Sequence, residues 1–320
     1  MSNFASGYIK YINHLEQIND AAITNPQRMV DEVEGSYREH LRNIARNITE
    51  RRTSVRIVML SGPSSSGKTT TAHLLRDYLE DFGVRAVIIS LDDFYLGRDK
   101  VPTLPDGTKD FETVNALDVE GIRRCLQNVV GSGEFTVPRY SFQLGRSDGP
   151  DREYKLGPGD LAIVEGIHGL NPTFTTGLPE DVCMKLYVSV KQQIKDINGE
   201  VINPWDLRLV RRIVRDIQCR NSPAENTLSM WPQVVEGENR YIRPYRISAD
   251  YTVNSIHIYE PCVLRTVAIP LLRAIAADSL YYKKARDLES RLMRFEPVDP
   301  KLVPANSMLR EFLGPNVTLT

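Results

Sequence analysis

The chain has 320 residues, 41% of them hydrophobic and 25% charged, enough for one large domain with appendages or two modest ones around a real core. Its formal net charge of −1 lacks the basic surplus on which broad nucleic-acid or anionic-membrane binding depends. Cys125, Cys183, Cys219 and Cys262 form no CxxC pair or metal-ligand spacing, and no apolar run reaches membrane-spanning length. The N-terminal MSNFASGYIKYINHLEQ also lacks the apolar core of a secretory signal, so a soluble cytoplasmic protein with reduced thiols is expected.

Residues 26–50 predict an amphipathic helix. Asn25 can cap it, Pro26 suits its first turn, and Met29, Val33, Tyr37, Leu41, Ile44 and Ile48 recur at helical spacing. From residue 55 the texture changes. VRIVML (55–60) is a nearly continuous apolar run, as expected of a strand buried on both faces. It leads into LSGPSSSGKTTTAHLL, where Gly62, Gly67, Lys68 and Thr69 satisfy the phosphate-loop pattern G-x-x-x-x-G-K-[ST]. A helix follows to about Phe82, with Gly83 as its stop.

VRAVIISL (84–91), DLAIVEGI (160–167), MKLYVSV (184–190) and ADYTVNS (249–255) predict further strands, and helices are expected near 116–130, 204–220, 223–236 and 259–276. Such alternation implies an α/β fold with a parallel sheet covered on both faces. FTVPRYSF (135–142) and REYKLG (152–157) instead predict a small antiparallel flap, and Ser222 with Glu225 suggests a capping box. The expected organisation is an N-terminal helical extension over 1–52, a main domain over 53–277, and a C-terminal helix and tail over 278–320.

The chemistry lies at the predicted strand ends. The backbone N–H groups around Gly62, Ser64, Ser65, Ser66, Gly67, Lys68, Thr69 and Thr70 would cradle a nucleotide's phosphates. Lys68 would reach the β- and γ-phosphates, and the Thr69 hydroxyl would ligate Mg²⁺. Asp92 and Asp93 stand just past the second strand and Glu165 just past the third, where open α/β sheets place their ligands. One such carboxylate can help hold Mg²⁺, and another can take the proton of an attacking hydroxyl. Arg208, Arg212 and Arg215 share a face of the 204–220 helix, with Arg211 to its side, which suggests a phosphate-facing lid. His168 can face substrate or serve as a structural histidine.

In order, GPSSSGKTT, ISLDDFY, DFETVNALD, PRYSF, VEGIHGLN, DLRLVRRIVRD and ADYTVNS resemble the uridine kinase and phosphoribulokinase group of P-loop kinases. The likeness is closest to bacterial uridine kinase-like proteins that often carry an N-terminal TGS domain; such a domain does not fit before the loop here. The resemblance implies ATP-dependent phosphorylation of a hydroxyl, typically the 5′-hydroxyl of a nucleoside, on a sheet with a flap and a helical lid. It implies Asp92 as base beside Lys68, with Thr69, Glu165 and Asp92 around Mg²⁺. Asp93, Tyr95, Glu112, Tyr140, His168 and Arg212 would line the acceptor, and Arg215 and Arg220 would contact the nucleotide. It further implies a small-molecule substrate, with a homo-oligomer common among relatives. Two positions depart. Gly145 stands where uridine–cytidine kinases carry a base-reading histidine, and Ser222 replaces a second arginine after the lid helix. Another sugar-like alcohol as acceptor, or ATP sensing without turnover, stays open; a GTPase is disfavoured by the lack of an N-K-x-D motif.

Overall fold

The computed structural model describes residues 14–141 and 143–314, so the ends of the expected 1–52 and 278–320 segments fall outside the described residues. Two helices lead, Leu15–Thr24 (α1) and Pro26–Glu50 (α2). The Asn25 side chain accepts from the Arg28 N–H at 3.1 Å, and Pro26 occupies the first turn of α2, the cap that the sequence predicts. The six residues of the α2 stripe are all buried, so the helix presses that face against the domain. The unanticipated α1 buries only Leu15, Ile18 and Ala22, too few turns for periodicity to mark it.

Strand β1 (Ile57–Ser61) runs through the phosphate-loop sequence into α3 (Lys68–Asp81), and then β2 (Ala86–Ser90) and α4 (Val119–Val130) follow. The flap comprises β3 (Glu134–Val137), β4 (Tyr140–Ser141), β5 (Arg146–Ser147) and β6 (Arg152–Lys155). Next come β7 (Leu161–Glu165), β8 (Cys183–Ser189), β9 (Ile194–Asp196) and β10 (Gly199–Ile202). The chain then forms α5 (Pro204–Arg220), α6 (Ala224–Gly237), β11 (Tyr251–Asn254), α7 (Glu260–Arg273), α8 (Tyr282–Leu292) and the one-turn α9 (Arg310–Leu313).

The central sheet has the order β11-β8-β1-β7-β2, and all four pairings are parallel. Its strands are largely apolar, as expected where both faces of a sheet are covered. Val58, Leu60, Ile163 and Leu186 join the core that extends from Leu15 to Leu313 and includes α2, α3, α5 and α7. Ile57, Met59, Ala162 and Val164 join the opposite core with α4 and the flap. This is the α/β sheet with helices on both faces that the sequence predicts. The flap pairs antiparallel as expected, β3 with β6, and a short β4–β5 pair involving Arg146–Ser147 is added to it. The β9–β10 hairpin is an addition to the predicted elements. Its turn is Ile197-Asn198, and Gly199, at φ 123°, opens β10 opposite Asp196.

The capping box does not form. Asn221 closes α5 in a left-handed turn (φ 49°), and the Ser222 N–H is used on the Asp216 carbonyl. Pro223 becomes the N-cap of α6, and Glu225 accepts from the Ser279 hydroxyl instead. Among the described residues no helix is long and apolar enough to cross a membrane.

Candidate active site

Every parallel strand ends on the same edge of the sheet, and the phosphate loop crosses that edge at its centre. Gly62 is fixed by close approach: a Cβ there would lie 2.1 Å from the Val188 carbonyl oxygen. Gly67 begins α3 at φ 86°, a conformation that L side chains rarely adopt. Ser65, between them, also takes a left-handed φ of 57°. The glycines accept this shape without steric cost, and Ser65 alone carries backbone strain in it.

The arginines of α5 supply the restraint. Arg208 Nε donates to the Ser64 carbonyl at 2.9 Å, and Arg211 Nη1 donates to the Ser65 carbonyl at 3.2 Å. Both guanidinium groups are buried and ion-paired, Arg208 to Glu238 at 2.7 Å and Arg211 to Glu260 at 2.6 Å. Arg208 also lies against the rings of Trp205 and Trp231. The expectation that Arg208 faces phosphate is thereby corrected. Helical spacing places a residue on a face but does not say what covers that face, and here the covering is the loop backbone and α6. Arg212 reaches the loop as well, donating to Ser64 Oγ at 2.9 Å. Arg212, Arg215 and Arg220 all engage Asp216, at 3.2, 3.4 and 3.2 Å. Thr227 donates to the same carboxylate. Asp216 is thus the hub of three guanidinium groups.

Asp92 and Glu165 meet opposite the loop. In the sheet register Ser90 is the neighbour of Glu165, and the Ser90 hydroxyl donates to Glu165 Oε1 at 3.0 Å. The same hydroxyl accepts from the Asp92 N–H at 3.4 Å, which starts the short turn carrying Asp92 and Asp93. Asp92 opens to the cleft mouth, yet the crowded walls strip its hydration and raise its carboxyl above the ordinary value, against the pull of Lys68 and Arg220. Burial likewise pushes Glu165 up to about 7, with Asp92 adding to the rise. Lys68 is lowered by its own burial while Glu165 and Asp92 oppose that effect, and its Nζ donates to the Pro63 carbonyl at 3.2 Å. Glu165 is buried, Lys68 half-buried and Asp92 at the solvent edge, and they shift one another's proton affinity, as groups at sites of chemistry do.

Beside Asp92 lies a second recess. Tyr95 and Tyr140 face each other with ring centroids 5.7 Å apart, and Tyr95 Oη donates to the Phe111 carbonyl at 3.0 Å. Burial raises Glu112 to about 7, with Arg212 pulling the other way. His168 is buried, with the Glu112 backbone near its ring but no hydrogen bond of good geometry to either nitrogen, and burial lowers it to about 4, so it is a neutral imidazole at physiological pH. Its ring meets Tyr241 edge-on at 6.4 Å. Asp93 turns away to anchor the flap, with one oxygen on Arg152 and the other accepting from the Tyr140 N–H. At the flap turn, Gly145 has φ 67° and leaves its Cβ space to the Arg98 side chain.

The structure thus gathers Lys68, Thr69, Asp92 and Glu165 on one side and Tyr95, Glu112, Tyr140 and His168 on the other, with Arg212, Arg215 and Arg220 alongside. Sequence reasoning missed Asp216, Glu238 and Glu260 as partners of the arginines, and also Tyr241 and Glu311. No local signal marks the last three, which come from elements remote in sequence.

The loop fits a nucleotide's phosphates. Ser65 Oγ and Ser66 Oγ are buried without hydrogen-bond partners, and Thr69 is exposed at the helix start. Among the described residues no three His, Cys, Asp or Glu cluster as a metal cage. Mg²⁺ suits such a place, since it usually binds through one or two protein oxygens plus phosphate and water.

The family described as Phosphoribulokinase / Uridine kinase matches residues 57–260 of this chain. A uridine kinase of Mycoplasma genitalium is 29% identical over 180 residues, covering 56% of this chain and 75% of that protein. Uridine kinase-like protein 5 of Arabidopsis thaliana is 26% identical over 198 residues, or 62% of this chain, and the match spans only 38% of that protein's length. Among solved structures, a possible uridine kinase from Bacillus stearothermophilus aligns with a TM-score of 0.48 and 18% identity, over 67% of this chain and 97% of the other.

Proposed function

The chain belongs to the phosphoribulokinase/uridine kinase family, and from that premise we propose that it transfers the γ-phosphate of ATP to a hydroxyl of a small molecule, a nucleoside at its 5′-hydroxyl. The observation that carries this reading is the Ser90 bridge, which sets Asp92 and Glu165 together across from Lys68. Asp92 takes the proton as the acceptor oxygen forms its bond to phosphorus and the bond from the γ-phosphorus to the bridging oxygen breaks, leaving ADP. A carboxyl held above its usual range is a better proton acceptor than an ordinary aspartate. Lys68, Arg212, Arg215 and Arg220 neutralise charge on the transferring group, and nucleotide phosphates rest on residues 62–70. Thr69, Glu165 and Asp92 would hold Mg²⁺, which supplies charge neutralisation on the phosphate oxygens.

In this reading Glu112 takes acceptor hydroxyls, while Tyr95, Tyr140 and His168 form the acceptor's walls and Asp93 sets their position through the flap. Residues 53–277 form the catalytic unit, the flanking segments pack on it, and the protein acts in the cytoplasm. Gly145 favours a second reading of the acceptor alone: no imidazole stands at the flap turn, and Arg98 fills that space, so another sugar-like alcohol is the alternative.

The test is Asp92→Asn, assayed by nucleotide titration and by ATP turnover against a panel of nucleosides and sugars. Nucleotide affinity is expected within about threefold of wild type, with turnover reduced about 10²–10⁴-fold, the usual worth of a positioned base. Turnover unchanged by the substitution sinks the assignment of Asp92. A wild-type protein that binds ATP yet phosphorylates no alcohol identifies an ATP-binding regulator.

A further inference from the structure

The C-terminal segment through residue 314 packs on the domain. After α8 it returns across the domain and reaches the start of α3. Its apolar residues Met308, Leu309, Phe312 and Leu313 are fully buried. Asn306 accepts from Arg38 of α2 at 2.7 Å, and Ser307 lies 3.4 Å from the Tyr259 hydroxyl. Met308 fills the space beside Gly67, where a Cβ would meet its sulfur at 2.6 Å. Phe312 packs under the Arg211 guanidinium, 5.1 Å from its carbon to the ring centre. The strap therefore rests on the phosphate loop and on the arginine that shapes it.

One polar group of the strap enters the loop's own territory. Glu311 Oε2 accepts from the Thr70 hydroxyl at 3.0 Å and from the Thr70 backbone N–H at 3.4 Å. Thr70 is the third residue of α3, and its N–H is one of the orphan donors at the helix start. An N-cap side chain normally takes that donor, but the N-cap here is Gly67, which has none. Leaving first-turn donors free is what allows such a helix to receive a phosphate. Instead a carboxylate arrives from 241 residues away and sits on one of them, the Thr70 N–H, and on the Thr70 hydroxyl. It lies within electrostatic reach of Lys68 as well, so it faces the same positive groups that a nucleotide's phosphates would.

We propose that Glu311 is a built-in phosphate surrogate: its carboxylate occupies first-turn donors of α3 that the donor nucleotide takes, so nucleotide binding displaces it and loosens the strap. This rests on the nucleotide-binding part of the proposed function. A ligand whose phosphates would use only these donors competes poorly against an anion tethered in place. A ligand that also engages Lys68 and the loop amides has contacts that the carboxylate does not hold.

The test uses the full chain and a binding readout. Calorimetric titration with Mg·ADP compares wild type, Glu311→Ala and Glu311→Gln, and hydrogen exchange follows residues 303–314 with and without Mg·ADP. Glu311→Ala is expected to bind about tenfold more tightly, the scale of losing a competing charge-assisted hydrogen bond at a partly buried site, and Glu311→Gln about threefold more tightly. The four buried apolar side chains of the strap keep both variants docked. In wild type, exchange at 303–314 should rise when Mg·ADP is added. Equal or weaker binding by the variants overturns the proposal and leaves the kinase reading standing, as does strap protection that stays constant or increases. Failure of all three proteins to bind nucleotide overturns both.

Discussion

Arg211→Met removes a guanidinium that is fully buried together with Glu260, and its cost can be worked from the contacts. The substitution deletes two ion-pair hydrogen bonds of 2.6 and 2.8 Å and the donations to the Ser65 and Ser255 carbonyls. Among the described residues, Glu260 is then a buried carboxylate that keeps the His257 N–H at 3.3 Å as its one donor. Breaking a buried pair from one side costs about 3–5 kcal/mol, a large share of the roughly 5–15 kcal/mol that stabilises a typical domain. The companion variant Arg211→Met/Glu260→Gln removes the stranded charge and should recover all but about 1 kcal/mol, because a neutral, filled site is no worse than a desolvated pair. Nucleotide affinity should not recover with it. Ser65 holds its left-handed φ of 57° at a cost of about 1–3 kcal/mol, and without Arg211 its carbonyl loses the guanidinium that restrains it. Urea unfolding gives the stability of each variant and ADP titration gives the loop's competence, with a loss of at least about tenfold expected in both variants. Restored ADP binding in the double variant would refute the positioning role. A single variant within about 1 kcal/mol of wild type would refute the electrostatic argument.

Glu112 and the flap give further expectations. Burial raises Glu112 from 4.5 to about 7, so the folded chain holds that proton more tightly than the unfolded one. The favourable contribution is complete below pH 4.5 and is lost as pH rises through 7; Glu112→Gln should therefore unfold about 1–2 kcal/mol later than wild type at pH 8, with no gain at pH 4. Equal gains at both pH values would show that the carboxyl's charge is not the cause. Arg152→Leu frees Asp93 and the Tyr140 strand, and at about 1 kcal/mol for a partly exposed pair it should raise the acceptor KM about fivefold. ADP affinity measured by titration should be unchanged, and a parallel loss there would place the flap's influence elsewhere.

The fold was largely legible because its signals are local. Asn25 and Pro26 mark the start of α2 to the residue, and the near-continuous apolar strands announce a sheet covered on both faces. The nearness of Asp92 to Glu165 follows from two strand ends on one edge, though the Ser90 hydroxyl that joins them does not. The arginine helix shows where such reasoning stops. Spacing groups Arg208 with Arg212, but the environment of Arg208 depends on Glu238 and on the Ser64 carbonyl, 30 and 144 residues away. Likewise no pattern near Thr70 reports a carboxylate arriving from residue 311.

The central position of β1 has a consequence for synthesis. Its neighbours β7 and β8 begin at residues 161 and 183, and the Ser61 hydroxyl bonds a carbonyl 106 residues later. The Arg211 contact to Ser65 spans 146 residues. A chain emerging from the ribosome exposes the phosphate-loop segment long before any strand is available to pair with it, and contacts of such separation close slowly. The segment with the plainest signature is thus among the first parts of the domain to be made and among the last to be shaped. A nascent chain shorter than about residue 260, where Glu260 completes the clamp, has no formed seat for a nucleotide and gains nothing from one during folding.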